Sequence, residues 1–513
     1  MVTTNEQSDN TKGEILPLSL SQYQVWLDHK LHLGSPHLIT GGMGFINGPL
    51  KLSLFYQTAA ELVKEYDVLR LLPLPDGNQQ VIHDWQEELL EYHDFSHTVD
   101  SEAAIESWWE KTYAENMPLD GKSRPWRIYL VRSTPQRYGI VLKSHHIVLD
   151  GYSIALAMNT MSEIYTRLDK QQHQLQSINP DVGSVALAQN KVEFRQFIEE
   201  SNTYKSSKAF KLDKVYWQKM FPTLPQTLFE KRDGYISNGV NPLPKAHHHR
   251  ELMAISEYNE LQQFSKQQSA TTYHLYLAAF IIYFCRIYNR DEIVIGVPVL
   301  NRSGKRYKST LGMFTVIIPI KVTVDTADTI NSILKKVVAV LRQSYRHARY
   351  PASILGQDLQ MIQQGRDRIF DITLSFENTN FSVQYSGAPT SEPRQAMHSG
   401  ARYPLSIILC EFHDSEPAEF ILASSDEFFT AKETSLLADR IQKLIKRMVE
   451  QPNCQYEQLT LITDEACAAQ IEGKHKTVSD HKNVRPFIAD FQHQASIRPD
   501  HNALIWRANH QEI

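Results

Sequence analysis

One stretch, Trp126 to Leu168, constrains the fold more than any other. Two strand-like runs, a short loop and a long helical pattern follow one another there without interruption. The runs Trp126–Arg132 and Tyr138–His146 flank the turn Ser133-Thr134-Pro135-Gln136 and read as a pair of strands. Ile154, Met158, Met161, Tyr165 and Leu168 then recur on one helical face, and Ser153 is placed to cap its start. Between strand and helix lies Ser144-His145-His146-Ile147-Val148-Leu149-Asp150-Gly151.

The rest of the chain repeats this mixture. A helix is predicted from about Ser19, with Tyr23, Trp26, Leu27 and Leu31 as its stripe. Another runs from Ser53 to Tyr66 with Phe55, Ala59, Leu62 and Tyr66 on one face. The polar segment from Lys170 to Val185 reads as a linker. Beyond it come the helix Thr271–Tyr288, the strands Glu292–Leu300 and Thr315–Val324 on either side of the loop Asn301–Thr310, and the helix Thr329–Arg349. Strands Phe370–Glu377, Pro404–Glu411 and Glu419–Ser424 and the helix Ala431–Gln451 complete the set. Strands and helices alternate in both halves, so the fold class is α/β with two lobes. A chain of 513 residues is too long for a single core, which agrees.

Composition narrows the function by exclusion. A net charge of −5 leaves no basic footprint for nucleic acid and no polybasic membrane patch. The longest apolar run, Leu275–Cys285, is too short to span a bilayer, and the first 16 residues lack an apolar signal core. Four cysteines without CxxC spacing predict neither disulfide framework nor zinc site, and fit a reducing cytoplasm. Lys245-Ala246-His247-His248-His249-Arg250 reads as a solvated loop entering a strand, and Trp108-Trp109 as a helix face on a sheet.

The His-His loop carries the chemistry. Successive side chains on a strand point to opposite faces, so His145 and His146 do not serve one metal ion. One imidazole faces a reaction channel and the other packs inward. Histidine is the default acid–base residue near neutral pH. Gly151 leaves room for a close approach, and a buried Asp150 needs an arginine partner. Spacing alone leaves a purely structural reading of these residues open.

The loop resembles the core motif of condensation domains of nonribosomal peptide synthetases, and other stretches match in that family's order. Leu18-Ser19-Leu20-Ser21-Gln22-Tyr23-Gln24-Val25-Trp26 is similar to its opening motif, and Asp67-Val68-Leu69-Arg70 to its Leu-Arg motif. Asp213-Lys214-Val215-Tyr216-Trp217 resembles the element before the second lobe. Gly296-Val297-Pro298-Val299-Leu300-Asn301-Arg302 and Leu311-Gly312-Met313-Phe314 resemble the two that follow. Two departures stand out: Tyr66-Asp67 replaces the usual His-Glu, and the usual Asn after Gly-x-Phe is absent before Thr315-Val316-Ile317-Ile318.

The resemblance implies two chloramphenicol-acetyltransferase-like lobes in a V-shaped pseudo-dimer with a tunnel between them. It implies His146 as the catalytic histidine, His145, Asp150 and Gly151 shaping the loop, and Arg302 and Arg70 supporting it, with Arg302 on Asp150. The domain layout expected is a disordered leader 1–16, an N-lobe 17–180, a C-lobe 181–460, a linker 461–487, and the start of an adenylation domain at 488–513.

The activity implied is acyl transfer from a thioester donor to the amine of a carrier-bound aminoacyl thioester. No cofactor or metal is expected, because the substrates arrive activated on CoA or on the phosphopantetheine of carrier domains. With Met1 as the native start, 16 residues cannot hold a carrier domain. The expected donor is then a fatty acyl-CoA, as in starter-type condensation domains, with a thioester on a separate carrier protein as the alternative. The expected partners are that donor, an acceptor peptidyl carrier domain and a downstream adenylation domain, and the chain is expected to be a monomer. An epimerisation domain shares the loop but normally follows a carrier domain, and a heterocyclisation domain would carry aspartates in place of the histidines. A non-catalytic recruitment domain of the same fold usually lacks the second histidine, here His146.

Overall fold

The computed structural model describes residues 14–85, 87–176, 192–235, 243–302, 305–378, 383–395, 397, 399–411, 417–462, 468, 487–499, 507–508 and 511–512. The chain divides into a large unit, Met1–Leu461, and a small one, Ile462–Ile513.

The first part of the large unit holds strands β1 (Ile15–Pro17), β2 (Ile39–Asn47), β3 (Leu71–Pro73), β4 (Gln79–Ile82), β5 (Leu90–Asp94), β6 (Trp126–Thr134) and β7 (Arg137–His145). Its helices are α1 (Leu20–Leu31), α2 (Leu52–Glu65), α3 (Ser101–Ala114), α4 (Gly151–Gln176) and α5 (Phe194–Tyr204). The second part adds β8 (Ala246–Met253), β9 (Glu292–Val299), β10 (Val316–Thr323), β11 (Ile372–Asn378), β12 (Gln384–Tyr385), β13 (Ala388–Gln395), β14 (Leu405–Glu411) and β15 (Ala418–Ser425). Its helices are α6 (Lys208–Met220), α7 (Ile255–Gln267), α8 (Thr272–Ile287), α9 (Ile330–Tyr345), α10 (Ala352–Asp358) and α11 (Ala431–Glu450).

Two six-stranded sheets organise this unit, ordered β12-β13-β2-β7-β6-β5 and β10-β9-β11-β14-β15-β8, with a small sheet β1-β4-β3 beside the first. In the first sheet β7 lies between β2 and β6, antiparallel to both, which holds the strand that ends at His145 from either side. In the second sheet β11 is central and runs parallel to both β9 and β14. Each sheet buries its apolar face against helices. Phe55, Leu62 and Ile164 join Ile140 and Leu142 in one core, and Leu277, Ile281, Leu341 and Ile441 join Ile295, Ile372 and Ile407 in the other. The run Leu275–Cys285 is the buried centre of α8. No single described helix is long and apolar enough to cross a membrane.

Several sequence expectations need correction. Of the expected leader 1–16, residues 1–13 lie outside the described set, while Ile15 and Leu16 belong to β1, whose Leu16 is buried and which pairs with β4. The helix α1 buries Leu20, Ser21, Gln22, Val25 and His29 rather than the stripe Tyr23, Trp26, Leu27 and Leu31. Its inner face meets polar loop atoms, while Tyr23 and Trp26 of the stripe pack half-buried against the first core. The expected linker from Lys170 begins inside α4, which continues to Gln176, and residues 177–191 lie outside the described set. His247, His248 and His249 stand within β8 itself, not in a loop.

Three segments beyond the lobe boundary at 180/181 also join the first lobe. Phe194 and Ile198 of α5, with Tyr307, Leu311 and Phe314, pack into the core of the first lobe. The β12–β13 segment leaves the second half and extends the first sheet, antiparallel to β2. Tyr385 is buried there against Phe55 at 5.4 Å between rings. In the small unit, Phe487–Ile497 is helical and Arg507–Ala508 pairs with Gln511–Glu512. The expected linker 461–487 lies almost wholly outside the described residues.

Candidate active site

The edge where β7 gives way to α4 builds the site. His145 is the last residue of β7 and His146 the first beyond it, so the two side chains part, as strand alternation requires. The His146 N–H donates to the Leu38 carbonyl at 2.7 Å, extending the β2–β7 pairing by one residue.

His145 faces inward. Its Nδ1 accepts from the Ile147 N–H at 3.0 Å and its Nε2 lies 3.2 Å from His29 Nδ1. An Nδ1 that accepts leaves the proton of the neutral ring on Nε2, which then donates to His29. Burial holds both rings neutral: it pushes His29 down to about 4 and His145 well below the usual histidine range. Gln22 braces the same loop, its Nε2 donating to the Ile147 carbonyl at 3.0 Å. His145 therefore locks the loop to α1.

His146 differs. It is only half-buried, yet enough protein surrounds it that desolvation lowers its pKa, with the Asp150 charge and the Leu149 backbone opposing in part. Its Nδ1 is enclosed and has no well-aligned hydrogen-bond partner. A half-accessible imidazole, neutral at pH 7, can take or relay a proton.

Asp150 turns back into the structure and is fully bonded. Oδ1 accepts from Arg302 Nη2 at 2.9 Å and the Ser153 N–H at 2.8 Å. Oδ2 accepts from the N–H groups of Phe314 and Thr315 and from Thr315 Oγ1, all within 3.1–3.2 Å. Asp150, not Ser153, thus caps α4. Ser153 Oγ instead donates to the Gly312 carbonyl and accepts from Arg302. The Arg302 guanidinium also donates to the carbonyls of Tyr307 and Thr310 and stacks 3.9 Å from the Phe314 ring centre. This clamp joins the His-His loop to the segment between β9 and β10.

Gly151 opens α4 with a backbone any residue can adopt. A Cβ there would lie 3.5 Å from Glu377 Oε2, at the end of β11. Gly312 is more tightly closed, since its Cβ would meet the Phe194 ring at 2.2 Å. The structure does not bring Arg70 to the loop. Its charge pairs with Asp84 at 3.5 Å. Its neighbour Asp67 instead caps α5, accepting the N–H groups of Phe194 and Arg195 at 2.9 Å each. Asp213, Tyr216 and Trp217 converge on His347: Asp213 is bonded to Nδ1 at 2.7 Å, Tyr216 stacks on the ring, and Trp217 donates to the carbonyl.

Sequence reasoning missed four groups at or near the site. His29 supports His145, and Glu377 faces Gly151. Arg402, preceding β14, bonds to Asp28 of α1 at 2.7 Å and to Asp367 at 3.0 Å, so it straps the two lobes together. Asp28 also accepts from His37, and with Arg402 beside it its carboxyl stays well below the usual range despite burial.

The chain as a whole resembles known proteins. The model of the condensation domain family matches residues 12–471. A dimodular nonribosomal peptide synthase of Bacillus subtilis (strain 168) is 22% identical over 503 residues, covering 97% of this chain and 20% of that protein. An isonitrile lipopeptide synthase of Streptomyces coeruleorubidus is 23% identical, covering 85% of this chain and 28% of its own length. This chain therefore spans less than a third of either relative.

Among solved structures, a double mutant of the starter condensation domain of rhizomide synthetase, in complex with C8-CoA and Leu-SNAC, superposes with a TM-score of 0.74. Identity is 18%, over 88% of this chain and 98% of that one. The first condensation domain of the calcium-dependent antibiotic synthetase, with a substrate analogue, gives a TM-score of 0.73 at 19% identity, over 88% and 100%.

Proposed function

Because this chain belongs to the condensation-domain family of amide-forming acyltransferases, we propose that it transfers an acyl group from a thioester donor to the amine of a carrier-bound aminoacyl thioester, with a fatty acyl-CoA as donor. One observation carries the reading. His146 is the half-accessible, neutral imidazole of a loop that is otherwise locked by His145, Asp150 and Arg302. The rhizomide synthetase starter domain, solved with C8-CoA, supports the acyl-CoA donor by analogy of fold.

The chemistry asks little beyond position and proton transfer. An α-amine with a pKa of about 8 is partly neutral at pH 7 and attacks the thioester carbonyl carbon. His146 orients that amine and carries the proton it loses towards the departing sulfur, while the enclosing protein keeps water from competing. The thioester supplies the activation, so no bound cofactor or metal is needed.

The discriminating experiment offers purified protein a panel of acyl-CoAs with an aminoacyl carrier domain, beside the same acyl groups on a donor carrier protein. Amide product from acyl-CoA alone supports the starter reading. Product only from the carrier-bound donor replaces it with the alternative donor, and no product from either leaves a recruitment domain of the same fold.

A further inference from the structure

The lobe junction holds a carboxylate that the account so far does not use. Strand β11 buries Ile372 and Leu374 in the second core and turns Thr373, Ser375 and Glu377 to its other face. Glu377 sits at the open end of that face, half-buried, with Oε2 3.5 Å from where a Gly151 Cβ would stand. The carboxylate therefore comes from one lobe and the histidine loop from the other.

The two acidic groups here are satisfied very differently. Asp150 has five donors, including a guanidinium. Among the described residues Glu377 has one hydrogen bond, from Ser375 Oγ, and no cation within ion-pair distance. The other groups facing it are Asp150 itself and the Cys410 thiol opposite on β14. Burial and the Asp150 charge raise its pKa, and Ser375 offsets this only in part. A half-buried carboxylate lacking a cation, beside the Gly151 end of the loop that carries His146, is complementary to an ammonium group.

We propose that Glu377 binds the acceptor's α-ammonium and removes its first proton. This rests on the amide-forming reading above. The step balances as follows. One ammonium proton passes to the Glu377 carboxylate, and the freed lone pair forms the C–N bond at the thioester carbon. Collapse of the tetrahedral intermediate breaks the C–S bond. A second nitrogen proton reaches the sulfur through His146, giving the free thiol, and Glu377 returns its proton to water. The third proton remains on the amide nitrogen. Gly151, with no side chain, leaves Glu377 Oε2 facing the start of α4.

The test compares wild type with Glu377→Gln, which keeps the shape and the Ser375 bond, and with Glu377→Asp. Binding is measured first without donor, using glycyl-, alanyl- and leucyl-N-acetylcysteamine and their N-acetylated forms. Glu377→Gln should weaken the free amines at least about fivefold and leave the N-acetyl forms unchanged. With a donor that wild type accepts, kcat/KM for the acceptor should fall about tenfold or more at pH 7. The gap should close towards pH 9, where the amine is already neutral, and Glu377→Asp should recover part of the loss. Equal binding of both probe sets by wild type and Glu377→Gln, or superimposable pH profiles, overturns the proposal. If wild type makes no amide from any donor, the functional reading fails, while the binding comparison still decides on Glu377.

Discussion

Replacing Arg302 with alanine tests the clamp that holds the reacting loop. Arg302 and Asp150 are 3% and 1% exposed, so the change strands a carboxylate out of reach of water. Removing one member of a buried pair costs about 3–5 kcal/mol. Asp150 keeps four donors, the N–H groups of Ser153, Phe314 and Thr315 and the Thr315 hydroxyl, which places the loss at the low end, about 3 kcal/mol. Lost stacking on Phe314 adds about 1 kcal/mol. An unfolding entropy of about 2 cal/mol/K per residue over Met1–Leu461 amounts to about 1 kcal/mol/K, so a loss of about 4 kcal/mol lowers Tm by about 4 °C.

The same change should reduce amide formation by about 100-fold, because Asp150 and Ser153 at the start of α4 lose the guanidinium that ties them to the carbonyls of Tyr307 and Thr310. Thermal melts and an intact-mass product assay measure the two effects. A double-mutant cycle with Asp150→Asn should return a coupling energy above about 1 kcal/mol. An Arg302→Ala protein with Tm within 1 °C of wild type and an unchanged rate would refute the reasoning.

His145 and His146 should separate cleanly. His145→Ala leaves His29 and the Ile147 N–H unpaired and should cost about 1–3 kcal/mol in chemical denaturation, whereas His146→Ala should melt like wild type and lose activity. His29 is held neutral down to about 4, so the unfolded chain binds its proton first. Stability should therefore be full above pH 6.5 and fall as pH drops from 6.5 towards 4, a slope that His29→Gln flattens in melts across that range. The lowered pKa of His146 places the acid limb of the pH–rate profile below 6.5, and a limb above 6.5 would contradict its neutral role. Gly312→Ala collides with Phe194 and should destabilise by about 1–3 kcal/mol, while Gly151→Ala, with its Cβ at ordinary contact distance, should fold normally. Denaturation midpoints distinguish the two.

Local pattern made part of this legible. The β6–β7 hairpin, the helix after Gly151 and the strands around Gly296 and Thr315 stand where apolar runs and helical spacing place them, the hairpin burying both of its faces. Pattern failed where burial is polar. The inner face of α1 carries Ser21, Gln22 and His29 because it meets loop carbonyls and imidazoles, so its exposed and half-exposed apolar residues misled. The β13 segment, Ala-Pro-Thr-Ser-Glu-Pro-Arg-Gln, has two prolines and no alternation, and becomes a strand only because β2 offers it a partner. Likewise Arg302 could be matched to Asp150 from motif order, but Glu377 and Arg402 meet the loop and α1 across more than 200 residues of chain. Contacts of that kind leave no periodic trace.

The central claim is that His146 serves amide formation from a thioester donor. The most direct measurement is an intact-mass assay of an aminoacyl carrier domain incubated with acyl-CoA or carrier-bound donor, comparing wild type with His146→Ala at equal fold content. The account predicts acylated product with wild type and a loss of about 100-fold or more with the variant. Near-normal product from His146→Ala, or no product from wild type with either donor, would contradict it.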